Sequence, residues 1–349
     1  MNKTLIAMSG GVDSSVAAWL LLEQGYDCVG AMMKLYDGES ESGCCSLSDA
    51  EDARAVADRL GIPFYVFNFT DTFTEHVIDR FINAYQGGMT PNPCIDCNRY
   101  LKFERFLKRA EDLGLDSIAT GHYARVQTEG GRHLLKKGAD ESKDQSYVLY
   151  AMTQRQLSAT LFPLGGLTKS QVREIALEQG FLNAKKRDSQ DICFAPDGDY
   201  AKFIEEHTGA EFETGLFIDF DGNILGKHRG IVHYTVGQRR GLGLSAEAPL
   251  YVCALNPEEN AVVVGTDDQL FTQTLHARDI NLIPVDKLDA PMRASAKIRY
   301  KHQEQPATVW QTGDDTLRVE FDEPQRAITK GQAVVLYDGD VVIGGGTIV

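Results

Sequence analysis

The stretch Thr4-Leu5-Ile6-Ala7-Met8-Ser9-Gly10-Gly11-Val12-Asp13-Ser14-Ser15 decides the fold. Thr4–Met8 is an apolar run of strand type. It breaks at Gly10 and Gly11, and helical periodicity then runs from Ser14 to Gln24 before Gly25 stops it. A strand, a glycine loop and a helix in that order gather backbone N–H groups, serine hydroxyls and a helix N-terminus around one point. That arrangement suits an anion, and the glycines let the backbone approach a phosphate closely. Asp13 is spaced to help hold Mg²⁺ on such phosphates. The spacing Gly-x-x-x-x-Gly-Lys-Ser/Thr is absent, so this is not the phosphate loop of kinases and GTPases.

Outward from this stretch, strand and helix signals alternate. Asp27–Met33 reads as a second strand, and Ser48–Leu60 as a helix with Ser48 as N-cap and Glu51 at the capping-box position. Phe64–Phe69 reads as a third strand, Phe103–Leu113 as an amphipathic helix ended by Gly114, and Ser117–Thr120 as a fourth strand. The order predicts an α/β fold: an N-terminal doubly wound parallel sheet with ligands at the carboxyl ends of its strands. Beyond about residue 205 the helices give way to short strands. These are Phe217–Phe220, Ile231–Val236, Leu250–Leu255, Ala261–Val264, Ala294–Arg299, Ala307–Gln311, Leu317–Phe321, Ala333–Tyr337 and Val341–Ile343. Asp221-Gly222 and Asp338-Gly339 are hairpin turns. All-β barrel domains are expected there. The implied division is a catalytic segment 1–205, a small central β segment 206–275 and a C-terminal barrel 276–349.

The 349 residues, 43% hydrophobic and 24% charged, fit a soluble multi-domain chain. No apolar run reaches the roughly 18–20 residues that span a bilayer. The short N-terminal apolar run ends too early at Ser9 for a signal peptide, so a cytoplasmic protein with no membrane partner is expected. The net charge of -15 argues against a nucleic-acid partner unless cations are concentrated locally. Such concentrations occur at Arg99, Lys102, Arg105, Lys108 and Arg109, at Arg132, Lys136, Lys137 and Lys143, and at Lys227, His228, Arg229, Arg239 and Arg240.

An odd cysteine count of 7 in a large chain without a leader disfavours structural disulfides. Thr90-Pro91-Asn92-Pro93-Cys94-Ile95-Asp96-Cys97-Asn98 reads as a proline-stiffened loop before a basic helix, a setting that lowers thiol pKa. A second thiol lies in Asp188-Ser189-Gln190-Asp191-Ile192-Cys193-Phe194. Two such cysteines suit sulfur transfer: one carries a persulfide and the other attacks it. Cys28 and Cys253 read as buried apolar strand residues. Cys44-Cys45 lies in an acidic Gly/Ser-rich loop, either merely exposed or a secondary sulfur site.

The Ser9–Ser15 loop resembles the PP-loop of the ATP pyrophosphatases. With Cys97 and Cys193 added, the chain is similar over essentially its full length to the tRNA-specific 2-thiouridylases. Tyr234–Leu242 has the look of that family as well. The resemblance implies an adenine-nucleotide α-hydrolase-like domain and ATP-dependent replacement of the C2 oxygen of a wobble uridine by sulfur. It implies ATP contacts at Ala7, Met8, Ser9, Gly10, Gly11, Val12, Asp13, Ser14, Met33 and Gly121. Cys97 would be the nucleophile and Cys193 the persulfide carrier. Asn92, Pro93 and Cys94 would line the target-base pocket. His122, Lys143, Asp144, Gln145, Arg299, Tyr300 and Gln332 would contact tRNA. The implied partners are the tRNA anticodon stem-loop and a sulfur donor, such as a cysteine desulfurase or a sulfur-relay protein.

One position departs from the pattern, because some relatives carry Asp where this chain has Cys94. Cys94, Cys97 and Cys193 then offer a second route, a [4Fe-4S] cluster held by three thiolates with one iron open to sulfide. A zinc site lacks a fourth ligand of suitable spacing. An amidotransferase-type PP-loop synthetase would need neither Cys97 nor Cys193, and a non-catalytic RNA-binding or sulfur-carrier protein would not need Ser9–Ser15.

Overall fold

The computed structural model describes residues 2–36, 47–186 and 192–349. The chain divides into two compact units. The first comprises Met1–Val77, Cys94–Pro196 and Gly339–Ile343; the second comprises Ile78–Pro93, Asp197–Asp338 and Gly344–Val349.

The first unit is built on strands β1 (Lys3–Ala7), β2 (Asp27–Lys34), β3 (Phe64–Asn68) and β4 (Ser117–Ala119), with a two-residue strand at Thr160–Leu161. All pair in parallel, in the order β3-β2-β1-β4 followed by Thr160–Leu161. Leu5 and Ile6 are wholly buried, as expected for a parallel strand covered on both faces. Helix α1 (Val12–Glu23) lays Val16, Ala17, Ala18 and Leu21 into one core with Val56 and Ala57 of α2 (Leu47–Leu60). Val172 and Ala176, from the helix Lys169–Glu178, join the same core. Strand order reverses between β1 and β4, so the loops after these two strands open at the topological switch point.

Helix α2 starts at Leu47, which places Ser48 inside the first turn rather than at the cap. The cysteine segment is helical where the sequence predicts a loop. Helix begins at Pro93 and continues as a π-helical stretch Cys97–Arg105 and an α-helix Phe106–Asp112. Proline suits the first helical position, so a residue that reads as loop punctuation is here a helix start. Helical turns at Thr70–Gln86 and an antiparallel hairpin, Ala124–Glu129 with Arg132–Lys137, were not legible in the sequence.

In the second unit, Gly215–Ile218, Ile224–His228, Tyr251–Asn256 and Ala261–Gly265 form a four-stranded sheet, with the Asp221-Gly222 turn where the sequence puts it. Ile231–His233 is a 3₁₀ turn, not the start of a strand. Six further strands follow: Phe271–Leu282, Met292–Lys297, Gln305–Gly313, Thr316–Arg326, Ala333–Asp338 and Val341–Ile348, the last of which belongs to this unit from Gly344 onward. Phe271–Leu282 pairs with both Thr316–Arg326 and the C-terminal strand, which closes an antiparallel barrel around Val309, Val319, Phe321, Val334 and Leu336. Among the described residues, no helix is long and apolar enough to cross a membrane.

Candidate active site

The loop after β1 is braced from every side by groups of the first unit. The Ser9 amide donates to Ser14 Oγ at 3.2 Å, and the Ser14 and Ser15 hydroxyls each donate to the Gly11 carbonyl at 3.0 Å. Gly11 caps α1 without any side-chain hydrogen bond, so the first N–H groups of a 12-residue helix are left for another acceptor. Gly10 adopts φ +73°, and a Cβ there would run into the backbone carbonyl of Asp49. Met8 and Val12 are buried at 1% and 4%, so these two reach a ligand only through their backbone. Ser9 is exposed, and Ala7, Met33 and Asp13 are half-buried.

The loop after β4 meets this one. A Cβ on Gly121 would lie 3.0 Å from the Asp13 carbonyl carbon and the Ser14 nitrogen, so glycine is what lets the two loops touch. Thr120 Oγ1 and His122 Nδ1 are 2.7 Å apart. The His122 imidazole packs against Phe103 and Phe162. Burial, reinforced by the charge of Lys102, holds its pKa well below the ordinary histidine value, so the ring is neutral.

Three contributors to this site were not expected. Lys169, the first residue of its helix and 9% exposed, places Nζ 2.7 and 2.8 Å from the two Asp13 oxygens. Tyr123 Oη donates to Asp13 Oδ1 at 2.8 Å. Asn183, 4% exposed, donates from Nδ2 to the Gly10 carbonyl and to Ser15 Oγ, both at 2.9 Å. Lys186, three residues on, pairs with Asp49 and Asp52 of α2 at 2.6 Å each. The helix carrying Lys169 was detectable, because Thr168 and Gln171 form a capping box. Asn183 had no local signal: it serves residues far away in the chain.

Several residues that the resemblance puts on tRNA have intramolecular partners. Gln145 accepts from the Tyr123 amide at 2.9 Å through Oε1, and its own amide donates to the Tyr123 carbonyl at 3.0 Å. It therefore stands behind the tyrosine that holds Asp13. Asp144 accepts from the Gly138 amide and from the amide and hydroxyl of Ser146, and Lys143 beside it is half-buried. In the second unit, Arg299 Nη2 donates to the Val236 and Ala327 carbonyls and to Thr329 Oγ1. Gln332 donates to the Thr90 carbonyl at 2.7 Å. Tyr300 is 36% exposed, beneath Lys297 at 5.8 Å.

The cysteines are disposed unevenly. Cys97 is buried, Cys94 exposed and Cys193 half-buried. Asn98, buried at 2%, ties the Cys97 turn to the Val148 carbonyl at 3.0 Å. Phe194 packs edge-on against Phe73 and anchors the Cys193 segment. Asn92 and Pro93 fall in the second unit and Cys94 in the first. Burial first, then Asp27, pushes the Cys28 thiol up to about 11, and burial first, then Asp268, raises Cys253, so both stay protonated. Cys44, Cys45 and Asp188–Asp191 lie outside the described residues.

The fit of the implied groups follows from these donors. The open helix end, the glycine loop and the Lys169 ammonium suit a nucleotide's phosphates. Asp13, now neutralised by Lys169, is one carboxylate that would be available to Mg²⁺, the usual protein share when phosphate oxygens complete the shell. An iron–sulfur cluster needs three thiolates converging on one centre. Among the described residues, no group of three or more His, Cys, Asp or Glu side chains is arranged to hold a metal ion.

A parallel sheet with an anion-ready loop at its switch point defines a nucleotide-binding α/β domain. Residues 2–197 match the family model described as tRNA methyl transferase HUP domain, 201–266 the tRNA methyl transferase PRC-barrel domain, and 272–348 the aminomethyltransferase beta-barrel domain. The chain is 53% identical to the tRNA-specific 2-thiouridylase MnmA of Clostridioides difficile, over 99% of this chain and 98% of that protein. It is also 53% identical to the protein of that name from Acetivibrio thermocellus, over 99% of both chains, and 52% identical to that from Lachnoclostridium phytofermentans, over 100% of both. The chain belongs to the tRNA-specific 2-thiouridylase family.

Proposed function

We propose that this protein is an ATP-dependent tRNA sulfurtransferase that converts the C2 oxygen of a wobble uridine to sulfur, acting in the cytoplasm on the anticodon stem-loop. The observation that carries this reading is the braced Ser9–Ser15 loop at the switch point, in a chain 53% identical to 2-thiouridylases over 99% of its length. The three-part division at about residues 205 and 275 belongs to the same reading: a catalytic segment, then two β segments that grip the RNA.

The loop amides, α1's N-terminus and Lys169 hold the terminal phosphates. Mg²⁺, when bound at Asp13, neutralises charge that builds on them. Ala7 to Ser14, Met33 and Gly121 enclose the nucleotide. Uridine O2 attacks the α-phosphorus and pyrophosphate departs. A persulfide on Cys193, loaded by a cysteine desulfurase or relay protein, then places its terminal sulfur on C2, and AMP leaves with the former O2. The Cys97 thiolate attacks Cys193 Sγ and breaks the S–S bond. The sulfur stays on C2, and a Cys97–Cys193 disulfide forms that a thiol reductant reopens.

Asn92, Pro93, Cys94 and the neutral His122 would face the base, splayed from its loop as RNA-loop recognition generally requires. Lys143, Asp144, Gln145, Arg299, Tyr300 and Gln332 would shape or contact the tRNA-facing loops. Nucleoside mass spectrometry of tRNA incubated with the protein, ATP and a sulfur donor tests the reading. 2-Thiouridine is expected, and its absence with a competent donor would refute it.

A further inference from the structure

The π-helical stretch that follows Cys97 carries an unusual concentration of cations for a chain of net charge -15: Arg99, Lys102 and Arg105, then Lys108 and Arg109 on the next turns. Arg105, Lys108 and Arg109 are exposed. On this face, within the first unit, His76, Tyr100, Glu104, Arg105 and Lys108 line a recess of about 270 Å³. The His76 and Tyr100 rings lie nearly parallel, 4.9 Å between centroids at 20°, and the Arg99 guanidinium sits 5.4 Å from the Tyr100 centroid. Glu104 is held by Gln156 Nε2 at 3.2 Å, and Lys108 by Asp112 at 2.9 Å.

We infer that this recess is a nucleotide subsite for the RNA substrate, separate from the target-base pocket. A base would stack on the His76–Tyr100 pair, and the adjoining backbone phosphates would lie on Arg105 and Lys108. The inference rests on the proposed function and goes beyond it, since it assigns RNA contacts to residues outside the base pocket and the phosphate loop. Three observations converge. Flat aromatic rings suit a nucleobase, because every base has a π-face that can stack on them. Two exposed cations flank the rings, as phosphate neutralisation needs. The recess also shares its helix with Cys97, with Tyr100 three residues further on, so RNA gripped here is near the nucleophile along the same rigid element. Glu104 supplies an acceptor for a ribose hydroxyl or a base amino group. An acidic peptide could use the cations but would gain little from the rings, which makes the aromatic substitution the discriminating one.

The test is equilibrium binding of unmodified tRNA, by fluorescence anisotropy at several salt concentrations, for wild type, Tyr100→Ala and the double variant Arg105→Glu/Lys108→Glu. ATP affinity and thermal stability serve as controls for folding. All the substituted side chains are at least partly exposed, so the variants are expected to fold. Tyr100→Ala should weaken binding about 5–50-fold with little change in salt dependence. The charge reversal should weaken it at least tenfold and flatten the plot of log Kd against log salt by about 1–2. Wild-type affinity in both variants would overturn the assignment and leave the proposed function standing. Loss in the charge variant but not in Tyr100→Ala would overturn the stacking subsite. A wild-type protein without measurable tRNA affinity would overturn the proposed function as well.

Discussion

The phosphate loop and the cysteines belong to the same unit but are prepared to different degrees. Around Ser9–Ser15, Asp13 meets Lys169 and Tyr123, Gly10 and Ser15 meet Asn183, and Gly121 admits the neighbouring loop. The donors that would stabilise departing pyrophosphate are already fixed, which is the arrangement electrostatic preorganisation requires. The thiols differ from one another in exposure: Cys97 is buried, Cys193 half-buried and Cys94 exposed. On the proposed mechanism adenylation would draw on a preorganised phosphate site, whereas sulfur exchange would proceed by successive thiolate attacks between a buried and a half-buried thiol.

That contrast can be broken most sharply at the cysteines. Cys97→Ser and Cys193→Ser should each lower thiolation at least about a thousandfold, as loss of a covalent catalyst does, while ATP affinity stays within about twofold. Equilibrium nucleotide binding beside a thiouridine assay checks this, and a parallel loss of ATP affinity would show that the two regions are not separable.

Lys169→Met should reduce kcat/KM for ATP by about a hundredfold, because it removes a cation facing the phosphates. A purely structural ion pair would instead lower thermal stability and leave pyrophosphate affinity unchanged, so both are measured. Cys94→Ala sharpens the sulfur side. Iron-free protein should keep thiolation within about tenfold, whereas complete loss of activity in step with lost iron would favour a cluster. Asn183→Ala should have a comparably small effect, confined to nucleotide binding. It removes hydrogen bonds of about 0.5–1.5 kcal/mol each, so KM for ATP should rise roughly tenfold with kcat nearly constant. Asn183→Thr, which keeps a donor, should recover part of that loss.

The sequence revealed the parallel sheet and the phosphate loop because their signals are local: apolar runs, paired glycines and a following helix. The Asp221-Gly222 hairpin was legible for the same reason. Pro93 misled because proline marks loops and helix starts alike, and a π-helical stretch has no periodicity of its own to announce it. Lys169, Asn183 and Tyr123 escaped because each acts across more than a hundred residues of chain, where no spacing rule reaches. Gln145 and Gln332 were singled out by resemblance, and in the structure they brace Tyr123 and the Thr90 backbone.

On the proposed function, ATP is cleaved to activate a tRNA uridine for sulfur. The most direct measurement counts AMP and 2-thiouridine in one reaction, with and without tRNA, in the presence of a sulfur donor. AMP release should require tRNA and match 2-thiouridine about one to one. AMP release indifferent to tRNA, or released with no thiouridine formed, would contradict it.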